Sequence, residues 1–310
     1  MFPNLNLFGR SFDSYALIAG IALLVTFLAA ILTRPRELPP KQVAMATFLV
    51  IISSVLGALA LYILLHDLSA IMDGHMSFVN IIKDAGVAYL GGPILSLIVL
   101  WILCRIYGTP FLIYADFAAP LFMLERAIGR IGCLAYGCCY GIESHLPWAY
   151  TFRCWGITNF VPRHPTQAYA IISALAIFIA SLYLAKKTRA IRGLSNTDQD
   201  LPGDQLGIKE NFKRNNSKGL VFFFVILAYS ILRFFNEFLR AEGPYLIGRI
   251  KASHLLLACF VLISSLGLFS VYKSAADKEL LRKSLSHSVL VLIATLILLS
   301  AIVLSILSIF

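Results

Sequence analysis

The chain has 310 residues, 59% of them hydrophobic and 14% charged, with a mean hydropathy of +0.82, far too apolar for a water-soluble domain. It reads as an integral membrane protein. Its net charge of +10 would suit nucleic acid in a soluble protein, but in a membrane protein surplus Lys and Arg mark cytoplasmic loops, and nucleic-acid binding is excluded.

A bilayer core of about 30 Å takes roughly 20 apolar residues, and eight runs are candidates to cross it. Tyr15–Thr33, Val43–Leu65, Ala85–Cys104, Thr166–Ala185, Ala252–Tyr272 and Ser284–Phe310 are long and carry few or no charges. Thr109–Leu124 is shorter and contains Asp116, and Gly219–Leu239 is interrupted by Arg233 and Glu237. Ionisable residues inside a membrane segment point to function. No cleavable signal peptide is expected, since the first run is itself long enough to span.

These runs predict an all-α polytopic membrane protein, residues 1–310 as one membrane domain, with about seven to eight transmembrane helices and a small periplasmic head segment at 129–163. Basic residues gather around Arg34 to Lys41, at Arg105, in 186–218 and in Lys273 to Lys283. By the positive-inside rule those loops are cytoplasmic, and both termini and the head segment face outward. The polar 186–218 segment is read as a flexible cytoplasmic linker.

The most unusual stretch is Gly129 to Gly141, GRIGCLAYGCCYG, with four glycines, one arginine and three cysteines. Dense glycine suits a tight turn or a close approach to a ligand, and Arg130 beside hydrocarbon needs an anionic partner. Taken alone, the stretch fits a periplasmic turn with Arg130 paired to a carboxylate as well as it fits a site.

On the Gly219–Leu239 run, Tyr229, Arg233, Glu237 and Arg240 recur at spacings of 4, 4 and 3, which puts them on one helical face. An internal salt ladder accounts for the pairing but leaves one positive charge over. If Arg130 and Arg233 converge, two guanidiniums present a fork suited to phosphate. At the outer mouth of the Thr166–Ala185 run lies Arg163-His164-Pro165-Thr166-Gln167-Ala168-Tyr169. Pro165 fits a first helical turn, and a surface histidine there caps or hydrogen-bonds more often than it acts as a base.

Cys133, Cys138, Cys139 and Cys154 all fall in the head segment. Disulfides are expected first, in keeping with an oxidising outer compartment, free thiols second and metal third, because adjacent Cys138 and Cys139 lack C-x-x-C spacing. No metal site and no cofactor are assigned. The chain has no G-x-S-x-G, H-E-x-x-H or P-loop pattern, so serine hydrolase, zincin and P-loop chemistries fail.

With these residues in view, the chain resembles the prolipoprotein diacylglyceryl transferase family. These bacterial inner-membrane enzymes move a diacylglyceryl group from phosphatidylglycerol to the lipobox cysteine of a prolipoprotein, the first step of lipoprotein maturation. The family's G-R-I-G-N-F-x-N-G-E-x-x-G is matched by Gly129, Arg130, Ile131, Gly132, Gly137 and Gly141, with Cys133 at the asparagine and Cys138 at the glutamate. Its R-H-P-[ST]-Q-x-Y-E is matched from Arg163 to Tyr169, and its Y-x-x-x-R-F-x-x-E-F-x-R by Tyr229, Arg233, Phe234, Glu237, Phe238 and Arg240. Asp116 and Pro120 match the helix leading into the signature. The H-G-G motif is here Tyr89-Leu90-Gly91-Gly92, with Leu90 at the histidine, and Ser284–Phe310 adds to the family's usual seven spans.

The resemblance implies that Arg130, Arg233, Glu237 and Tyr229 are catalytic. It implies substrate binding by Tyr15, Tyr89, Gly91, Gly92, Gly129, Gly132, Gly137, Gly141, His164, Gln167, Tyr169 and Arg240. Its expected partners are phosphatidylglycerol, prolipoprotein signal peptides and membrane lipids. Arginines that grip the phosphodiester would stabilise the departing phosphate, and the thiol must lose a proton, since the thiolate is the nucleophile. Tyr89, Glu237, His164 and His254 are open as the base, as is a field of arginines acting without one. The alternative is a non-catalytic or differently acting homologue that binds anionic lipid or a lipidated partner, motivated by Leu90 and by the missing acidic positions, now Cys138 and Ala170. A channel or transporter would spread polar residues through several spans.

Overall fold

The computed structural model describes residues 4–7, 10–35, 38–63, 91–152, 160–197, 218–241, 245–247 and 250–274. Among them are seven helices: α1 (Ser14–Leu32), α2 (Pro40–Tyr62), α3 (Gly91–Tyr107), α4 (Phe111–Tyr136), α5 (Thr166–Thr197), α6 (Leu220–Leu239) and α7 (Ala252–Ser274). Three short antiparallel hairpins accompany them: β1 (Asn4–Leu7) with β2 (Arg10–Asp13), β3 (Tyr150–Thr151) with β4 (Pro162–Arg163), and β5 (Tyr245–Ile247) with β6 (Ile250–Lys251). The protein is helical and multi-pass. Five helices, α1, α2, α5, α6 and α7, are long and apolar enough to cross a membrane, and α3 is a shorter apolar helix. Tyr89, Leu90, Cys154 and the Ser284–Phe310 run lie outside the described residues.

Two helices run further than the apolar runs imply. α4 continues through Gly129 and Gly132 to Tyr136, so the glycine-rich stretch is not an irregular turn until Gly137; glycine weakens a helix but does not break it. α5 runs to Thr197, well into the stretch read as linker, because the basic residues after Ala185 are good helix formers.

The chain divides into two compact units, one of Met1–Thr26 with Ala115–Phe310 and one of Phe27–Tyr114. Within the second unit α2 and α3 meet backbone to backbone. A Cβ on Gly57 would strike the carbonyl of Gly91, a Cβ on Gly91 would strike that of Gly57, and one on Gly92 would lie 2.9 Å from the Ser54 carbonyl. Ser96 Oγ donates across to the Val50 carbonyl at 3.2 Å. In hydrocarbon, where apolar side chains gain little by leaving lipid, small residues and interhelical hydrogen bonds hold helices together.

In the first unit α6 is the hub. Half of its span is buried, against 17% for α7, and its Leu220, Val221, Phe224, Val225, Ala228 and Leu232 pack with Met123 of α4, Ile177, Ala180 and Leu184 of α5, and Val271 of α7. Both ends of α6 are held from outside the helix. Asp116 of α4 accepts from the backbone N–H groups of Gly219 and Phe222, each at 2.9 Å, so a carboxylate from another helix satisfies the donors orphaned at an N-terminus. At the other end the fully buried Lys251 donates its Nζ to the carbonyls of Arg240 at 2.7 Å and Glu237 at 3.3 Å, a cation where the helix dipole is negative.

Candidate active site

α4 ends at Tyr136, twelve residues past the Leu124 at which its apolar run stops. Gly137, at φ 92°, takes the left-handed conformation common just past a helix C-terminus, and its N–H and that of Cys138 both return to the Cys133 carbonyl, at 2.9 and 3.2 Å. The chain then joins two other segments by backbone hydrogen bonds. Gly141 N–H donates to His164, Ile142 N–H to Leu239, and His164 N–H back to Ile142, at 2.9, 2.8 and 3.0 Å. Gly141 has no room for a side chain, since a Cβ there would collide with His164 and the Leu239 carbonyl. Three stretches far apart in sequence are thereby fixed to one another: the end of the glycine-rich segment, the Arg163-His164-Pro165 turn and the end of α6.

The α5 N-terminus secures the same loop. Thr166 Oγ1 donates to the Cys139 carbonyl at 2.6 Å and Gln167 Nε2 to that of Cys138 at 2.5 Å. Trp148 Nε1 donates to Tyr169 Oη at 2.9 Å, and Tyr169 Oη lies 3.2 Å from His164 Nδ1. With the tyrosine oxygen accepting from tryptophan, its own proton is directed at Nδ1, which fits a neutral imidazole. Burial lowers the His164 pKa in the same sense. His164 is 1% exposed, so the structure makes it a hydrogen-bonding residue of the interior.

The face expected on α6 is present. Glu237, almost fully buried, takes Arg233 at 2.5 Å and Arg240 at 3.6 Å on one carboxylate oxygen. An unpaired buried carboxylate is costly; two guanidiniums neutralise this one with charge to spare. Next to it on the same helix opens a cleft lined by Arg126 and Arg130 of α4, Ser173 of α5, and Tyr229, Arg233 and Asn236 of α6. Three arginines from two helices therefore face one space. Asn236 Nδ2 is anchored on the Thr166 carbonyl at 3.3 Å, and Tyr229 rests edge-on against Phe122, their ring centroids 6.3 Å apart.

Of the residues expected at a site, Arg130, Arg233 and Tyr229 line the cleft, and Glu237 and Arg240 form an ion cluster with Arg233. Gly132 lets α1 approach, with Ile18 and Tyr15 at 3.3 and 3.4 Å from where a Cβ would stand. Gly129 has only the Glu125 carboxylate near, at 3.5 Å. Gly137, Gly141, His164, Gln167 and Tyr169 build the loop, whereas Gly91 and Gly92 pack on α2 in the other unit, and Tyr89 lies outside the described residues. His254 accepts from the Lys251 N–H at 3.0 Å and its ring packs tilted against Phe238, 4.2 Å between centroids, so it caps the start of its own helix. The sequence reading missed Arg126, Asn236 and Lys251. Arg126 was findable, as it stands one helical turn before Arg130.

The cysteines depart from the disulfide expectation. Cys104, Cys133, Cys138, Cys139 and Cys259 carry free thiols. Cys133, Cys138 and Cys139 nonetheless cluster, their Sγ atoms all within 4.8 Å of one another, and Arg130 Nη1 is 3.9 Å from Cys133 Sγ.

Residues 4–197 match the family model described as prolipoprotein diacylglyceryl transferase. Among similar proteins, phosphatidylglycerol–prolipoprotein diacylglyceryl transferase 2 of Clostridium perfringens is 27% identical over 278 residues, covering 88% of this chain and 96% of its own. The phosphatidylglycerol–prolipoprotein diacylglyceryl transferase of Finegoldia magna is 24% identical with the same coverage. That of Solidesulfovibrio magneticus is 34% identical over 55% of this chain and 67% of its own.

Proposed function

From the premise that this chain belongs to the prolipoprotein diacylglyceryl transferase family, we propose that it transfers the diacylglyceryl group of phosphatidylglycerol to the lipobox cysteine of prolipoproteins and releases glycerol phosphate. The observation that carries this reading is the convergence of Arg126, Arg130 and Arg233 on one cleft. The thiolate attacks the glyceryl carbon, the C–S bond forms as the C–O bond to phosphate breaks, and the electron pair leaves with glycerol phosphate. Negative charge grows on the phosphate in that step, and guanidiniums already in place stabilise it without reorganising. Glu237 keeps Arg233 oriented, and Tyr229 and Asn236 offer polar contacts to the lipid headgroup. The cleft faces the outer side of a bacterial inner membrane, with both termini on that side, in keeping with the distribution of Lys and Arg.

The test is an assay of purified protein in detergent with phosphatidylglycerol and a lipobox peptide, following glycerol phosphate release and peptide mass together, with Arg130→Ala and Arg233→Ala alongside. Both products from the parent chain and neither from the variants support transfer. Leu90, at the family's histidine, favours a second reading, a homologue that binds anionic lipid and leaves it intact. Saturable phosphatidylglycerol binding by folded protein that yields no product would establish that one instead.

A further inference from the structure

The three cysteines that follow Arg130 play no part in the phosphate chemistry, yet the chain brings them to one point. Cys133 lies near the end of α4, Gly137 ends the helix, and Cys139 at φ 61° turns the backbone again. Thr166 and Gln167 hold the carbonyls of the two loop cysteines. All three thiols are free and their sulfurs lie within 4.8 Å of one another. Sulfurs around a tetrahedral zinc at about 2.3 Å stand about 3.8 Å apart, so small side-chain adjustments close this trio on one ion. A disulfide would use two of the three and strand the third. Three thiolates on a divalent ion leave a net negative charge, and Arg130, 3.9 Å from Cys133 Sγ, sits where that charge calls for a neighbouring donor.

We propose that Cys133, Cys138 and Cys139 bind one Zn(II) ion whose fourth position is open to the thiol of the acceptor cysteine. Three protein ligands and one vacancy are the mark of a zinc site that handles substrate. The inference rests on the transferase reading and supplies the thiol activation for which no base was assigned. The acceptor thiol binds as thiolate, its proton passing to water. The zinc-bound sulfur attacks the glyceryl carbon, and the C–O bond to phosphate breaks with its electron pair leaving on glycerol phosphate. The thioether, a poor ligand without charge, departs, and no atom changes formal oxidation state. Arg130 joins the two halves of the site, since it both lines the cleft and touches the sulfur cluster.

The test uses the full chain in detergent, with zinc and then Co(II) as probes and lipobox peptides bearing Cys or Ser at the acceptor position. The expected result is about one zinc per chain, falling about tenfold or more in Cys138→Ser and Cys139→Ser. The sulfur-to-cobalt absorption should grow by about a third as a fourth thiolate joins three, with the Cys peptide alone. Chelator-stripped parent protein, resupplied with zinc, covers the case in which a variant does not fold. Protein that takes up neither metal, a proteolytic fragment holding a disulfide between two of the three cysteines, or a cobalt spectrum indifferent to the Cys peptide would each overturn the proposal. Undiminished transfer by stripped protein overturns it and leaves the transferase reading intact. Metal uptake with the peptide response, but no product from phosphatidylglycerol, upholds the site and counts against the transferase.

Discussion

Asp116 is a buried carboxylate near the start of α4, in a run read from the sequence as membrane-spanning, a placement that ordinarily suggests chemistry; its contacts make it a cap, and Asp116→Ala separates the two. The substitution removes the acceptors for Gly219 N–H and Phe222 N–H, both at 2.9 Å, where Asp116 is 6% exposed. Leaving a buried donor unsatisfied costs about 1–3 kcal/mol, so two cost roughly 2–6 kcal/mol, and alanine's better helix propensity returns about 0.5 kcal/mol. The net is a destabilisation of about 3 kcal/mol. At about 2–4 °C per kcal/mol for a chain of some hundreds of residues, the melting temperature should fall by roughly 6–12 °C. Asp116→Asn keeps one carbonyl acceptor and should lose about half as much. Thermal unfolding of purified protein in detergent, followed by intrinsic fluorescence, measures both, with transferase activity taken well below the transition. Unchanged melting in Asp116→Ala together with lost activity would refute the cap and return Asp116 to the chemistry.

Arg126→Ala should lower transfer about 10²–10³-fold, comparably to Arg130→Ala, as expected for removing one preorganised donor; a rate within twofold of the parent would remove Arg126 from the site. Gly91→Ala forces a methyl group into the Gly57 carbonyl and should destabilise the α2–α3 pair by about 1–3 kcal/mol, read as a lower melting temperature or increased proteolysis in detergent. Burial lowers the His164 pKa, so the unfolded chain takes up this proton more readily than the folded one. Stability linked to His164 is therefore fully present above about pH 6.5 and is lost as pH falls from there toward the folded-state value. A pH series of melting temperatures should show that loss in the parent and a flatter profile in His164→Gln.

The spans of α1, α2, α5, α6 and α7 were legible because hydrocarbon thickness sets a length that an apolar run must meet. The stripe on α6 was legible because helical periodicity alone gathers Tyr229, Arg233, Glu237 and Arg240. Composition misled at Gly129 and Gly132, which lie inside a helix that tolerates glycine, and of the two only Gly132 serves close packing, against α1. Arg126 stands outside the glycine-rich segment, one turn earlier on the same helix, where no unusual composition marks it. Lys251 and Asp116 were not readable as caps at all. Each acts on an element remote or separate from its own, and no local pattern announces which helix end a distant charge will meet.

The external clamping of α6 bears on how the protein is made. With Arg233 and Glu237 aboard, α6 has the lowest hydropathy of the five candidate spans, 1.7 against 2.2 or more for the others. Each such charge taxes entry into a bilayer by up to about 3 kcal/mol. A segment of that composition partitions poorly alone, and chain order helps it. α4 leaves the ribosome earlier and carries the carboxylate that receives the first turn of α6, while Lys251 emerges directly behind to close its last. The span that bears Arg233 and Tyr229 is thus one whose biogenesis depends on company, and truncation before Lys251 should trap it at the insertion machinery.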